Sequence, residues 1–311
     1  MVNRENSDRL GVQADLIQRL KSVPLPRISD DLVGVYASYP MMSIHPESVA
    51  GQVMGMLVEE HVKAVCHSCP GMVLLQNEPG LIGLHTPVES LRKHNRILRA
   101  TSRFRYGLQV MHDVEVIGGS TFSHLYLVDQ SKNRQAEFDV IARASDQYVW
   151  IESKTCFLNP DNSVSKFEEW TKGYGKDRNM IRRFLGSGVK INLLFAANPE
   201  FISGIQAVIE SHEGACNCNI CGFRNKGGLL VSMKVSDQEY LALERRLLEA
   251  CPNPPVRYNR KSRLNNKKVI AENNPPPQSY GGYGTGDYQS DLENALYGDV
   301  QQIAPKKRRR R

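Results

Sequence analysis

Alternating apolar and polar residues predict a β-hairpin within residues 136–155. In the stretch AEFDVIARASDQYVWIESKT, apolar side chains occupy alternate positions on each side of a short polar connection, ASDQ. This spacing is typical of two antiparallel strands that each turn one face toward a core. We therefore expect strands over residues 137–143 and 147–154, joined by a tight turn at Ser145 and Asp146.

The predicted turn determines which side chains face each other. It places Asp139 directly across from Glu152, and it puts Lys154 on the face of Glu152, about 6.6–6.8 Å farther along the strand. Like charges at opposite positions of two strands destabilise the pair. We therefore expect a positive group between the two carboxylates.

Helical and strand periodicities predict a layered chain around this hairpin. Helices are expected over residues 15–21, 46–66, 87–108, 164–185, 199–210 and 237–249. Further strands are expected over residues 72–76, 112–117, 125–129, 189–198 and 229–235. Gly173 and Gly175 are expected to interrupt the helix in which they lie. Strands interspersed with helices predict an α/β or mixed α+β domain.

The composition favours a folded core and a reducing compartment. With 311 residues and 41% hydrophobic content, the chain is long enough for one large domain or two modest ones. No apolar run approaches the ~20 residues of a membrane span, and the charged N-terminal sequence predicts no secretory signal. The seven cysteines, an odd number, favour reduced thiols. We expect a cytoplasmic protein, or a nuclear one if the source is eukaryotic, without a membrane partner.

The positive charge is concentrated near the C-terminus. The net charge is +7, and residues 253–311 hold 12 of the 40 Lys and Arg residues but only 5 of the 33 Asp and Glu residues. Residues 1–252 therefore carry 28 charges of each sign. A segment rich in Pro, Gly, Asn and Tyr cannot bury enough apolar surface to offset the entropy of ordering. We therefore expect residues 253–311 to be disordered.

The chain ends in a block of six cations that has three interpretations. The block could contact phosphates, act as a nuclear import signal, or form a solvated tail. An amphipathic piece over residues 291–303 could fold on a protein partner. The terminal cations that we expect to contact nucleic acid are Lys306, Lys307, Arg308 and Arg309.

The polar side chains of the hairpin match the needs of phosphodiester hydrolysis. Mg²⁺ or Mn²⁺ neutralises the phosphate and makes a water nucleophilic, and carboxylate oxygens are common ligands of these ions. We expect Asp139 and Glu152 to hold the metal, with the backbone carbonyl of Ser153 as a further ligand. Lys154 would orient or activate the water and stabilise developing negative charge. The alternative is a solvated face whose charges pair with their neighbours.

The segments FDVIA and YVWIESKT resemble the core motif of the PD-(D/E)XK nuclease superfamily, which has the restriction-endonuclease-like fold. In that family, an Asp on one strand is followed by a hairpin and by an apolar strand that ends in Glu-x-Lys. The resemblance covers residues 110–198. It implies a central mixed sheet flanked by helices, and metal-dependent cleavage of DNA or RNA. It is compatible with a homodimer, because such nucleases often need two sites to cut two strands.

Two positions qualify the resemblance. Phe138 stands where family members have a Pro before the Asp. Family members also tend to carry a catalytic Glu on the helix that precedes the sheet, and the candidates here are Glu59, Glu60 and Glu89. We favour Glu89, because it belongs to the predicted helix nearest the sheet.

We expect the chain to divide into three regions. Residues 1–86 would form a helical recognition region, residues 87–252 the nuclease core, and residues 253–311 the basic tail. A zinc knuckle could be inserted in the core at residues 216–221.

Cysteine spacing gives this second candidate site. Cys218 and Cys221, together with Cys66 and Cys69, could supply four thiolates to a structural zinc ion. Free thiols are the alternative, because the two pairs are far apart in sequence and Cys216 makes the spacing irregular.

Basic residues predict where nucleic acid would bind. Four arginines are spaced by three or four residues along the predicted helix over residues 87–108, and two lysines lie in the helix that follows the hairpin. Such cations could track phosphates or form a solvated helix face. Trp150 could stack on a base or pack against the following helix. The cations singled out are Arg92, Arg96, Arg99, Arg103, Lys172 and Lys176.

Three functions therefore remain open. The first is a metal-dependent endonuclease. The second is a non-catalytic nucleic-acid-binding protein on the same fold, which would bind without a divalent ion. The third is an interaction protein that works through its basic tail. The intact set of Asp139, Glu152 and Lys154 favours the first, whereas the neutral charge of residues 1–252 is unusual for an autonomous DNA-cutting enzyme.

Overall fold

The structure of this chain is a computed structural model. It describes residues 14–78, 85–86, 96–100, 105–131, 133–155, 157, 163–186, 188–211, 222–223 and 227–255. The chain divides into Met1–Val256 and Arg257–Arg311, and all of the described residues belong to the first unit. The terminal cations Lys306, Lys307, Arg308 and Arg309 lie outside the described residues.

The helices largely follow the predicted periodicities, and local caps explain several of their boundaries. Ser29 caps the second helix by accepting a hydrogen bond from Leu32 N, and Ser236 forms a capping box with Glu239 at the start of the last one. The helices are α1 (residues 14–22), α2 (Asp30–Ala37), α3 (Pro46–Ser68), α4 (Ser163–Leu185), α5 (Pro199–Ser211) and α6 (Asp237–Ala250).

The strands form two five-stranded sheets. The strands are β1 (Met72–Leu74), β2 (His85–Thr86), β3 (Arg96–Ala100), β4 (Gln109–Ile117), β5 (Ser120–Val128), β6 (Arg134–Phe138), β7 (Val140–Ala144), β8 (Gln147–Lys154), β9 (Lys190–Ala197) and β10 (Leu229–Ser232). The first sheet has the order β1-β7-β8-β9-β10 and is mixed, because β8, β9 and β10 are parallel while β1 and β7 are antiparallel to their neighbours. The second sheet, β2-β3-β4-β5-β6, is antiparallel throughout.

Helices cover both faces of the first sheet. One hydrophobic cluster joins α1, α2, α3 and α6 to the side of the sheet that carries Val149 and Ile151. A second cluster joins α4, α5 and the second sheet to the opposite side, which carries Trp150. This double burial explains why β8 and β9 are nearly continuous apolar runs. The chain is therefore a mixed α/β protein, and residues on both sides of position 86 share one core.

The predicted hairpin register is confirmed, but the first of its strands is not continuous. Val140 pairs with Ile151 and Ala144 with Gln147, as the two-residue turn requires. The strand expected over residues 137–143 is instead two strands, β6 and β7, separated at Asp139. The interruption has a clear cause, since β6 belongs to the second sheet and β7 to the first.

The predicted helix over residues 87–108 is wrong where the structure describes it. Residues 96–100 form β3, which pairs with β4, because tertiary pairing overrides helical periodicity in this short segment. A strand repeats every two residues rather than every 3.6, so the helical alignment predicted for Arg96 and Arg99 is wrong as well. Arg96 and Arg99 lie in β3, whereas Arg92 and Arg103 lie outside the described residues.

Two smaller predictions also need correction. Gly173 and Gly175 do not interrupt α4, which runs unbroken to Leu185. Glycine costs about 1 kcal/mol inside a helix, and the burial of Phe167 and Phe184 on either side offsets this cost. The strand predicted over residues 72–76 ends at Leu74 and continues as a single 3₁₀ turn.

Among the described helices, none combines the length and the apolar content that a membrane span requires.

The turn between β4 and β5 lies against the start of α2. Gly118 and Gly119 both have left-handed backbones, with φ of 51° and 73°, as a two-residue hairpin turn demands. The carbonyl of Gly118 accepts a hydrogen bond of 3.2 Å from Ser29 Oγ. A Cβ atom at Gly118 would overlap the backbone of Leu32, whereas one at Gly119 would enter open space. Only Gly118 therefore needs glycine for both conformation and packing.

We expect Gly118→Ala to lower the free energy of unfolding by roughly 2–4 kcal/mol, since it adds a steric overlap to the left-handed strain. Gly119→Ala is the matched control and should cost only roughly 1–2 kcal/mol. Urea unfolding of both variants measures the difference. Equal losses would show that the contact with α2 contributes nothing.

Candidate active site

The candidate site lies where the two sheets meet. Asp139 occupies the single position between β6 and β7, and Glu152 lies near the carboxyl end of β8. The two residues are only 9% and 6% exposed, respectively. Two carboxylates are thus removed from water at one junction, which is costly unless they are paired and hydrogen-bonded.

Ser153 and Lys154 hold these two carboxylates. The backbone N–H and the hydroxyl of Ser153 both donate to Asp139 Oδ2, at 2.8 and 3.0 Å. Lys154 Nζ lies 2.6 Å from Glu152 Oε1 and 3.6 Å from Asp139 Oδ2. The positive group expected between the carboxylates is therefore present as the ammonium of Lys154. The proposed carbonyl ligand of Ser153 stays a prediction.

A third carboxylate, Glu59 of α3, acts on the same site. Its charge is among the influences that raise the pKa of Glu152, and the charge of Asp139 raises the pKa of Glu59 in turn. Glu59 also accepts a hydrogen bond of 2.6 Å from Lys63, one turn later in the helix. Of the three candidate glutamates, Glu59 is therefore the one whose charge acts on the carboxylates of the hairpin, whereas Glu89 lies outside the described residues.

Glu60 has a different task, which is to attach α3 to the second sheet. Its Oε1 accepts hydrogen bonds from the backbone N–H of Ser123 in β5 at 2.7 Å and from Lys63 Nζ at 2.7 Å. Lys63 also donates to the carbonyl of Ser123. These contacts fix the height of α3 along β5, and they explain how Glu59 is positioned.

Burial and mutual repulsion disfavour full ionisation of the site. Burial and the charge of Asp139 raise the pKa of Glu152 to about 7, although Lys154 acts in the opposite direction. Burial and Asp139 likewise raise the pKa of Glu59 to about 7, against the effect of Lys63. Burial opposes the charged form of Lys154, but the carboxylates of Asp139 and Glu152 outweigh it and raise its pKa.

The carboxylates in this cluster outnumber the ammonium groups. Two negative charges remain when all of the groups are ionised, which is the charge that a divalent cation would balance. The carboxylates are Asp139, Glu152, Glu59 and Glu60, and the ammonium groups are those of Lys63 and Lys154.

The donor chemistry fits magnesium better than a cage built of protein ligands alone. Within the described ranges, no group of three or more His, Cys, Asp and Glu side chains could hold a metal ion as it stands. Magnesium usually takes one or two carboxylates and completes its shell with water and substrate oxygens. Asp139 and Glu152 could supply such a pair if the ammonium of Lys154, whose side chain is 44% exposed, moved off one of them.

His124 is a neighbour of the site that sequence spacing did not single out. Its Nδ1 lies 3.6 Å from Glu137 Oε1 and 3.9 Å from Glu59 Oε1. The pairing of β5 with β6 is what brings His124 to the site. Leu125 pairs with Phe138, so one further step along the ladder brings His124 level with Asp139.

The other predicted site residues are dispersed. Lys172 and Lys176 are exposed on α4. Trp150 is 2% exposed and makes edge-to-face contacts with Phe138 and Trp170 at 5.2 and 6.0 Å. It therefore packs against the following helix and has no face open to a base.

Only two of the four cysteines of the predicted zinc site lie within the described residues. Cys66 and Cys69 are free, buried thiols at the end of α3. Burial raises the pKa of both, and for Cys69 the value is about 11. Cys218 and Cys221 lie outside the described residues, so the four-thiolate site stays a prediction.

No family model matches this chain, and no curated protein matches its sequence.

The raised pKa of Glu152 predicts a dependence of stability on pH. The folded state binds the proton more tightly than the unfolded chain, so this stabilisation is complete below about pH 4.5 and is lost as the pH rises through about 7. The free energy of unfolding of the wild type should fall between about pH 5 and about pH 8. In Glu152→Gln this fall should be smaller by roughly 1–3 kcal/mol. Urea unfolding in EDTA at both pH values measures it.

Glu249→Gln is the control, because Glu249 is exposed on α6 and the substitution removes a carboxylate outside the hairpin. This variant should show the pH dependence of the wild type. A Glu152→Gln protein with an unchanged pH dependence would contradict the electrostatic account of the site.

Proposed function

We propose that this protein is a metal-dependent nuclease that hydrolyses phosphodiester bonds of DNA or RNA on a PD-(D/E)XK-like core. The observation that carries the proposal is the buried pair Asp139 and Glu152, joined by Lys154 at the carboxyl end of β8. Its sequence order and strand placement are those that the resemblance implies. The mixed first sheet with helices on both faces supports it.

The proposed metal is Mg²⁺ or Mn²⁺, held by Asp139 and Glu152. When bound, it would neutralise the phosphate and lower the pKa of a water. Ser153 keeps the carboxylate of Asp139 in one orientation through two hydrogen bonds. A fixed carboxylate loses less entropy when it binds a cation, so this contact favours metal binding.

Lys154 is the residue that we assign to the water and to the developing charge. Its ammonium is kept charged by the carboxylates and is partly exposed, so it can reach a substrate at the surface. A positioned ammonium stabilises negative charge that grows on the phosphate oxygens. Glu59 would adjust the charge of the site from α3.

The second candidate is a nucleic-acid-binding protein without catalysis. The direct ion pair of Lys154 with Glu152 favours it, because a satisfied buried pair needs no metal. The two proposals differ in one respect that can be measured, since only the nuclease requires a divalent ion.

We expect cleavage of labelled single- and double-stranded DNA and RNA to need Mg²⁺ or Mn²⁺ and to stop in EDTA. Asp139→Asn removes a metal ligand, and Lys154→Ala removes the charge that acts on the water and the phosphate. Each variant should cleave at least about 100-fold more slowly than the wild type. Gel electrophoresis of the products with the full-length chain measures the rates.

Matched controls separate the site from its surroundings. Asp146→Asn makes the same change at the exposed turn of the same hairpin, and Lys21→Ala removes an exposed lysine at the end of α1. Both should cut at the wild-type rate. Lys154→Ala should retain Mn²⁺ binding by calorimetry. Cleavage that persists in EDTA, or is equal in all variants, would refute the nuclease proposal.

A separate comparison identifies the helix glutamate. Glu59→Gln should weaken Mn²⁺ binding several-fold, because it removes one of the negative charges that couple to Asp139 and Glu152. Glu89→Gln should leave the affinity unchanged. Calorimetric titration of each variant with Mn²⁺ gives the answer, and the reverse pattern would restore Glu89 as the catalytic glutamate.

A further inference from the structure

The tight turn at Arg105–Leu108 presents an aromatic ring to solvent. Arg105 N donates to Leu108 O at 3.0 Å, and Leu108 N donates back to Arg105 O at 2.9 Å. Tyr106, at the first central position, is 80% exposed. Among the large hydrophobic residues that the structure describes, it is the most exposed.

The backbone of Tyr106 is held in an unfavourable conformation. Its φ is 51°, a left-handed value that is rare for bulky side chains and costs about 1–3 kcal/mol. Asn or Gly would adopt this conformation at lower cost. Because the ring is 80% exposed, core packing does not compensate for this strain, which points to a role in binding.

The turn is fixed to a basic end of the fold. Arg105 Nη1 donates to the carbonyl oxygens of Leu185 at 2.6 Å and Phe184 at 3.5 Å, at the C-terminus of α4. Leu108 packs on the second hydrophobic cluster. These contacts hold Tyr106 on a rigid support beside the last turn of α4.

The charges around this support are one-sided. Residues 178–199 hold four cations and no Asp or Glu, and among them Arg183 and Lys190 are exposed. Two acidic groups lie close by: Asp129 binds the N–H groups of Ser131 and Asn133 in its own turn, and Asp146 precedes Gln147, which pairs with Lys190. Arg183 and Lys190 therefore place exposed cations at the end of the fold to which the turn is fixed.

We propose that Tyr106 is a stacking platform for a base of single-stranded nucleic acid, whose backbone phosphates contact Arg183 and Lys190. Single strands are bound by aromatic rings that stack on bases and by cations that track the backbone. A duplex keeps its bases stacked inside and would gain only the phosphate contacts. This inference rests on the proposed function for its ligand class, and it deepens it by naming the strandedness.

The platform is separate from the candidate active site but lies on the same sheet. Gln109, next to the turn, pairs with Val128 of β5. Phe138, which precedes Asp139, pairs with Leu125 of the same strand. At about 3.4 Å per residue, the two places lie roughly 15–20 Å apart along β5. A single strand that reaches both would span several nucleotides.

The test measures binding of the full-length chain to fluorescein-labelled single-stranded DNA and RNA in EDTA, by anisotropy. Tyr106→Asn removes the ring and suits the left-handed backbone, so the variant should fold at least as well as the wild type. We expect its affinity for single strands to fall roughly 5- to 150-fold, the range measured for one stacked base. Tyr106→Trp should retain the affinity.

The salt dependence separates stacking from charge. Tyr106→Asn should leave the slope of log K against log salt unchanged, whereas Arg183→Gln should reduce it by about 0.7. Ile44→Asn is the control, because Ile44 is a 58% exposed apolar residue near the start of α3. It should bind as the wild type does.

Several results would overturn the proposal. They are wild-type affinity in Tyr106→Asn, loss of affinity in Tyr106→Trp, an equal loss for duplex and single strand, and absence of nucleic-acid binding by the wild type. Because EDTA prevents metal-dependent cleavage, a chain that binds through Tyr106 but never cuts would keep the platform and refute only the nuclease.

Discussion

The pairing of one lysine with two buried carboxylates is the interaction on which the junction of the two sheets depends. An unpaired buried carboxylate would cost several kcal/mol, so Asp139 and Glu152 need both the ammonium of Lys154 and the donors of Ser153. Asp139 lies between two sheets and therefore belongs to neither ladder. Its side chain takes its hydrogen bonds from β8 instead, which ties the two sheets together at this point.

The scaffold around the junction is fixed from three directions. β6 and β7 enter and leave Asp139 with no intervening loop, and α3 is attached to β5 through Glu60 and Lys63. A site on such regular elements is held more precisely than one on loops. The raised pKa values of Glu59 and Glu152 are the electrostatic cost of this arrangement, and sites of this kind commonly sacrifice stability for function.

On the proposed function, a body without net charge would act on nucleic acid through local charge separation. Residues 1–252 are neutral in total, yet carboxylates gather at the end of β8, while residues 178–199 hold four cations and no Asp or Glu. A cation bound at the first place would leave the second free for phosphates. Total charge is therefore a poor guide to the partners of this chain, because binding depends on the local potential.

The sequence by itself determined most of the helices and the register of the hairpin. The two-residue turn at Ser145 and Asp146 set Val140 level with Ile151, because strand pairing on either side of a tight turn has a fixed count, and this brings the next residue, Asp139, close to Glu152. Double burial made β8 and β9 recognisable as apolar runs. Packing also explains why the break predicted at Gly173 and Gly175 is wrong. The burial of neighbouring side chains in α4 outweighs the low helix propensity of glycine.

Only the tertiary structure decided which distant residues meet the hairpin. The choice of Glu59 over Glu60 depends on the attachment of α3 to β5, and adjacent positions on a helix differ by 100° in direction. The break at Asp139 and the strand at residues 96–100 follow from the second sheet, in which each strand pairs with the strands before and after it in the chain. Which of these contacts form depends on the free energy of the whole fold, so a short window of sequence does not determine them.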